Sequence, residues 1–193
     1  NGWLNERTWL AHGIHFDEGE IARLGRHGVG VCHCPTSNMV LASGQCRTLE
    51  LEKAGVPVGL GVDGSASNDN SNLMEGVRHA LMINRLTYDA ASITHFDAFR
   101  WATEGSAKCL NRDDIGAIAV GKQADFAMYT LDELRFSGAG DPLAALVLCG
   151  AHAADRVMVA GKWRVKDGQP EGMDVARLRH EHGEAAKAFL EAL

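Results

Sequence analysis

The sequence is short of several things that would point to common classes of protein. Basic residues are too few for a polyanion partner: 19 Lys and Arg stand against 25 Asp and Glu, a formal net charge of −6. No basic footprint is left for a nucleic acid polymer to neutralise. No uncharged run approaches the roughly 20 apolar residues of a membrane span. Only 4 prolines accompany 22 glycines, so there is no Pro-rich linker, and the glycines point to tight junctions between regular elements. The five cysteines, Cys32, Cys34, Cys46, Cys109 and Cys149, are an odd count without C-x-x-C spacing. That pattern argues against a disulfide framework and for a reducing cytoplasm. The opening Asn1-Gly2-Trp3 has no initiator Met and none of the basic and apolar stretches of a signal peptide, so the chain reads as a piece of something longer.

What is present is globular: 46% hydrophobic and 23% charged residues over 193 positions, enough to build a core without staples. From Thr8 a short apolar run, a polar turn and a helix-period segment alternate, the pattern of a parallel α/β sheet. Strands are expected at 8–15, 29–34 and 56–62. The first is followed by a helix capped by Asp17 with Glu20 at the box position, burying Ile21 and Leu24. The second leads through a polar loop to a helix over 45–54. After the third come ten residues, Asp63 to Asn72, with almost nothing to bury, and such a loop is functional or mobile. A helix carrying Leu73, Met74, Val77, Leu81 and Met82 follows, then one over 96–110 opened by a Thr94-x-x-Asp97 box. From Ile115 short strands are expected at 124–130 and 156–165, with an apolar stretch at 142–148 between them, and the tail from Met173 reads as a helix.

Function in α/β proteins gathers at the C-terminal ends of the strands. Here those ends carry His12, His33 and Asp63, two imidazoles and a carboxylate suited to holding a divalent metal or shuttling protons to a water molecule. Each has a plainer reading. His12 alone fits a surface or hydrogen-bonded histidine, Asp63 an Asx-turn or cap before Gly64, and His33 a plug between strands. Cys32-His33-Cys34 is a poor zinc knuckle, because strand alternation sends His33 away from both cysteines. His180 and His182 lie in a helical pattern that sets their rings roughly 200° apart, so the pair reads as a solvated face. His27, His79, His95 and His152 have no partner in view.

Taken together, His12-Gly-Ile-His15, His33-Cys-Pro-Thr-Ser-Asn38 and Gly61-Val-Asp63-Gly-Ser-Ala-Ser-Asn68 resemble the amidohydrolase superfamily. The likeness is to its branch of guanine deaminases, methylthioadenosine/S-adenosylhomocysteine deaminases and triazine hydrolases. Trp101-Ala-Thr-Glu-Gly-Ser-Ala107, Gly121-Lys-Gln-Ala-Asp125 and Val157-Met-Val-Ala-Gly161-Lys are similar to that branch's last barrel helix and its return into a β-sandwich. Asn38-Met-Val-Leu-Ala-Ser-Gly44 and the run Ser67 to Asn72 look most like the 8-oxoguanine deaminases.

The resemblance implies an α/β fold: the C-terminal part of a (β/α)8 TIM-type barrel, a small β-sandwich element and a C-terminal helix. The expected divisions are residues 1–112, 113–170 and 171–193. It implies a hydrolytic deaminase of an aminated purine- or pyrimidine-like ring, with a triazine chlorohydrolase or alkylaminohydrolase as the alternative and a non-enzymatic barrel module as a third reading. His12 matches the histidine that contacts the attacking water, and Asp63 the aspartate that ligates the metal and takes the water's proton. His12 is at most a further, weak ligand. His33, Asn38, Ser65 and Asn68 are expected to bind substrate. The metal is expected to be Zn2+, or alternatively Fe2+. The family's first-strand H-x-H pair, its fifth-strand histidine and the glutamate after it have no counterpart, and are expected upstream of Asn1. A segment supplying them is needed to complete the barrel, and without it the polypeptide is expected to aggregate or stay partly unfolded. Expected partners are a small heterocyclic substrate and further copies of the chain, with neither membrane nor nucleic acid polymer.

Overall fold

Three short apolar runs pair in the order they occur. The computed structural model describes residues 2–150 and 153–192. In it β1 (Trp9–Ala11), β2 (Gly30–His33) and β3 (Val58–Leu60) form a three-stranded sheet in that order. Both pairings are parallel, with Leu10 beside Val31 and Val31 beside Val58. The connections carry α1 (Glu18–Arg26), α2 (Pro35–Val40) and α3 (Thr48–Lys53), and α4 (Leu73–Thr87) follows β3. Side chains alternate along a strand, so Val31 and His33 share a face with their neighbours Val58 and Leu60. Helices close that face: Val31, Val58 and Leu60 join Ile21, Leu24, Leu51, Val77 and Leu81 in one core. Each such burial contributes about 1.5–3 kcal/mol.

The strands are shorter than the apolar runs that announce them. The first stops at Ala11 because His12 and Gly13 both turn into left-handed backbone, φ 69° and 63°. The polar stretch after Cys34, expected as loop, is largely α2. Pro35 occupies its first turn, where a missing N–H costs nothing, and its polar residues turn inward, with Ser37 and Asn38 buried. The next helix starts at Thr48 instead of Gln45. Cys46 is already core, and the Thr48 hydroxyl donates to the buried Asn84 of α4 at 2.6 Å.

The stretch 95–109 runs as α5 (His95–Arg100), a π-helical turn at Trp101–Gly105 and α6 (Ser106–Cys109), opened by the expected Thr94/Asp97 capping box. It lies against β3. The Ser106 hydroxyl accepts from the Leu60 N–H and donates to the Leu60 carbonyl, both at 3.2 Å. A Cβ on Gly105 would stand 2.0 Å from the Val58 carbonyl oxygen, so only glycine allows this approach.

Beyond it β4 (Phe126–Met128), α7 (Pro142–Leu148), β5 (Arg156–Val159), β6 (Lys162–Lys166) and β7 (Gln169–Pro170) precede α8 (Val175–Glu191). The four strands form one antiparallel sheet in sequence order. One expectation fails here. The run 156–165 is a hairpin, not one strand, because Ala160 and Gly161 take the left-handed pair of angles that a tight hairpin turn requires. The apolar stretch 142–148 is the helix α7, started by Asp141, whose carboxylate accepts from the backbone of Leu143 and Ala144. No helix among the described residues is long and apolar enough to cross a membrane, and all five cysteines are free.

Candidate active site

The ends of β1 and β3 bring an imidazole and a carboxylate together. His12 Nε2 lies 3.7 Å from Asp63 Oδ2, with both side chains about one-third exposed. Both residues have left-handed backbone, φ 69° and 65°, which costs a non-glycine residue about 1–2 kcal/mol. Strain of this kind collects where a side chain must be aimed away from its strand. Together with His15, Leu41 and Ser43 the pair lines an open cleft of about 480 Å³.

Helix α2 anchors both members. Ser37 Oγ donates to Asp63 Oδ2 at 2.6 Å, and Asn38 Oδ1 accepts from His12 Nδ1 at 2.8 Å. Ser67 Oγ donates to the same Asp63 oxygen at 3.2 Å. The Ser37 hydroxyl and then the Gly64 backbone N–H, with the Ser67 hydroxyl and the nearby His12 adding to them, hold the Asp63 carboxyl below the usual carboxylate range against the opposing effect of burial. Asp63 is therefore ionised at neutral pH, able to bind a cation or receive a proton.

The other expected site residues lie differently. His33 is buried on the helix-covered face of β2, at 1% exposure, with neither ring nitrogen paired to the protein. Burial first, then the neighbouring His12, lowers its pKa to about 3. It lines a separate cleft of about 300 Å³ with Asn38, Gln45 and Ile83. Asn68 is buried, and its Nδ2 donates to the Val62 carbonyl at 2.9 Å, bracing the loop instead of facing the cleft. Ser65 is exposed on that loop. His79 bonds Thr36 Oγ1 at 2.9 Å, and His95 pairs with Asp141 at 3.0 Å, so both have partners where none was in view. His152 lies outside the described residues. The hold of Ser37 on Asp63 was not anticipated. Its only sequence signal is Pro35, which starts the short helix that turns residues 37 and 38 inward.

A larger, apolar groove of about 640 Å³ runs between Phe96, Phe99, Ile115 and Phe126, away from the His12–Asp63 pair. The chemistry favours the smaller cleft, where an ionised acid faces an imidazole. A carboxylate oxygen and an imidazole nitrogen are donors a divalent metal takes, but zinc normally takes three or more protein ligands. Among the described residues no group of three or more His, Cys, Asp or Glu could hold one. The pair fits as part of a ligand set.

Residues 2–164 match the family model described as "Amidohydrolase family". The chain is 62% identical to an 8-oxoguanine deaminase from Pseudomonas aeruginosa over 98% of its own length and 42% of the relative's. It is 39% identical to a hydroxydechloroatrazine ethylaminohydrolase from Pseudomonas sp. strain ADP, over 92% of the chain and 38% of that protein. Among solved structures it superposes on an adenosine deaminase from Xanthomonas campestris with bound zinc. The TM-score is 0.91 and the identity 32%, over 96% of this chain and 43% of the other. The chain thus spans about two-fifths of the length of the relatives it matches. With its rim pair, its parallel strands and these likenesses, it belongs to the amidohydrolase family.

Proposed function

We propose that the protein containing this chain is a metal-dependent hydrolytic deaminase of an aminated purine-like ring, of the 8-oxoguanine type. The observation that carries this reading is the acid–imidazole pair, His12 Nε2 to Asp63 Oδ2 at 3.7 Å, in a cleft at the strand ends. The likeness to an 8-oxoguanine deaminase supports the choice of substrate. Residues 1–112 would be the last βα units of a closed barrel, 113–170 part of a sandwich and 171–193 its outer helix. The same reading makes the enzyme a cytoplasmic homo-oligomer.

Asp63, and more weakly His12, would hold the metal, Zn2+ before Fe2+, with the remaining ligands from outside these residues. When bound, the metal lowers the pKa of water so that hydroxide is available near neutral pH. Asp63 accepts the proton given up by the water and passes it towards the leaving nitrogen, while His12 steadies the attacking oxygen. The oxygen adds to the ring carbon bearing the amino group, the C–N bond breaks, and ammonia leaves with the transferred proton. Ser37 and Ser67 keep the Asp63 oxygen aimed during both transfers.

The test is ammonia release by the full-length, zinc-loaded protein from 8-oxoguanine, guanine and isocytosine. Asp63→Asn keeps an oxygen donor but loses basicity, so kcat should fall by about 10²-fold or more. Unchanged turnover would remove Asp63 from the mechanism. A second reading, hydrolysis of an alkylamino-triazine, is favoured by the 39% identity to an ethylaminohydrolase. Triazine turnover without purine deamination would establish it instead.

A further inference from the structure

We propose that Asn38 is a positioning residue that holds His12 in the tautomer with hydrogen on Nδ1, leaving the Nε2 lone pair facing Asp63. Asn38 was expected to touch substrate, and its surroundings argue otherwise. Its Oδ1 is engaged by His12 Nδ1 at 2.8 Å. Its residue is 2% exposed and its Nδ2 buried. It lines the cleft with His33, not the one holding Asp63.

His12 needs such a partner. Strand pairing ends with the bond from its N–H to the Cys32 carbonyl at 2.8 Å, and its left-handed φ takes the side chain out of the strand's alternation. The ring is then oriented by what it touches. The Asn38 backbone is itself fixed: its N–H donates to the Cys34 carbonyl at 3.0 Å, and its carbonyl accepts from Ser43 N at 2.9 Å. Beside it Ser37 is bonded to Asp63. One turn of α2 therefore sets the hydrogen-bond roles of both rim residues.

The consequence is chemical. An imidazole that donates through Nδ1 accepts through Nε2. Asp63 Oδ2 is also an acceptor, already receiving Ser37 and Ser67. Two acceptors 3.7 Å apart cannot bond each other, so the pair suits a species beside them in the cleft that donates to both, such as the water to be deprotonated. The opposite tautomer would turn Nε2 into a donor to Asp63 and remove one of the two acceptors.

The turnover arm of the test rests on the proposed deaminase; the spectroscopic arm does not. Full-length protein labelled with 15N-histidine and loaded with zinc is read by long-range 1H–15N NMR at alkaline pH. His12 is assigned by its loss in His12→Gln. The wild type should show Nδ1 protonated and Nε2 without hydrogen. Asn38→Ala should lose that preference and drop kcat about 10- to 100-fold, the usual cost of losing a group that orients a site histidine. KM should stay within about twofold, and zinc content should hold. Asn38→Asp, which keeps an acceptor in place, should restore the tautomer and most of kcat. A wild-type ring protonated on Nε2, or an unchanged tautomer in Asn38→Ala, overturns the proposal. So does a rise in KM at constant kcat, which returns Asn38 to substrate binding. If no heterocycle is turned over, the deaminase reading fails while the tautomer measurement still decides the role of Asn38.

Discussion

Two regions of this chain use the same residue type for different physical reasons. Around the parallel sheet, Gly105 exists for close approach: its backbone lies against β3 so tightly that a methyl group would overlap the Val58 carbonyl oxygen at 2.0 Å. In the antiparallel sheet, Gly168 meets nothing within 4 Å and is set by its φ of 72° alone. The first region supplies the core, from Ile21 to Trp101, with Val147 of α7 added. In the second, no residue of β4 to β7 or of α8 is buried. Packing specifies the one, and local turn chemistry the other.

The largest effect that could break this contrast is Gly105→Ala. The clash is with backbone, which has no flexible end to move aside, so α6 must retreat from β3 and take Ser106 off Leu60. Overpacking of this kind costs about 3 kcal/mol. Urea unfolding of the full-length protein should show that loss, with catalytic activity falling as the fold does. A loss below about 1 kcal/mol would mean that the helix is free to shift and that close packing does not define this region.

That difference also explains what the sequence made legible. Asp17 with Glu20 and Thr94 with Asp97 announce helix starts through short-range rules, and both capping boxes are present. His12 and Asp63 stand at strand ends, where alternation stops, and their approach to each other follows from parallel order. What stayed hidden depends on contacts far apart in sequence or on backbone handedness. Ser37 and Asn38 look like loop residues until the ends of β3 and β1 supply Asp63 and His12 as their respective partners. Asn84 looks like an ordinary helix residue until Thr48 meets it in the core. Ala160 gives no warning of the turn it makes, since alanine is a rare choice for left-handed backbone.

The next effect sharpens the contrast at a titrating group. His33 is buried in the packed region with a pKa of about 3, against 6.5 when unfolded. The unfolded chain therefore binds more protons between these values, so stability is full above pH 6.5 and is lost as pH falls towards 3. At pH 5 the loss from this residue is about 2 kcal/mol. His33→Leu should flatten the fall in Tm between pH 7 and pH 5, measured beside the wild type with metal content matched. An identical fall in both proteins would mean that His33 is protonated without cost and reaches solvent.

The smallest effect belongs to the second region. Asp167 and Gly168 are both left-handed, φ 50° and 72°, at the turn joining β6 to β7. Gly168→Ala adds a methyl group to open space, so no neighbour has to move. What remains is the intrinsic penalty of an L side chain in left-handed backbone, about 1 kcal/mol. The change should lower stability by that amount, measured by urea unfolding, with kcat unaltered because the turn lies outside the His12–Asp63 cleft. If Gly168→Ala costs as much as Gly105→Ala, a surface must cover this turn in the full-length protein, and packing would govern both halves of the chain alike. If it costs about a third as much, handedness alone sets the turn, and the two glycines remain apart in kind.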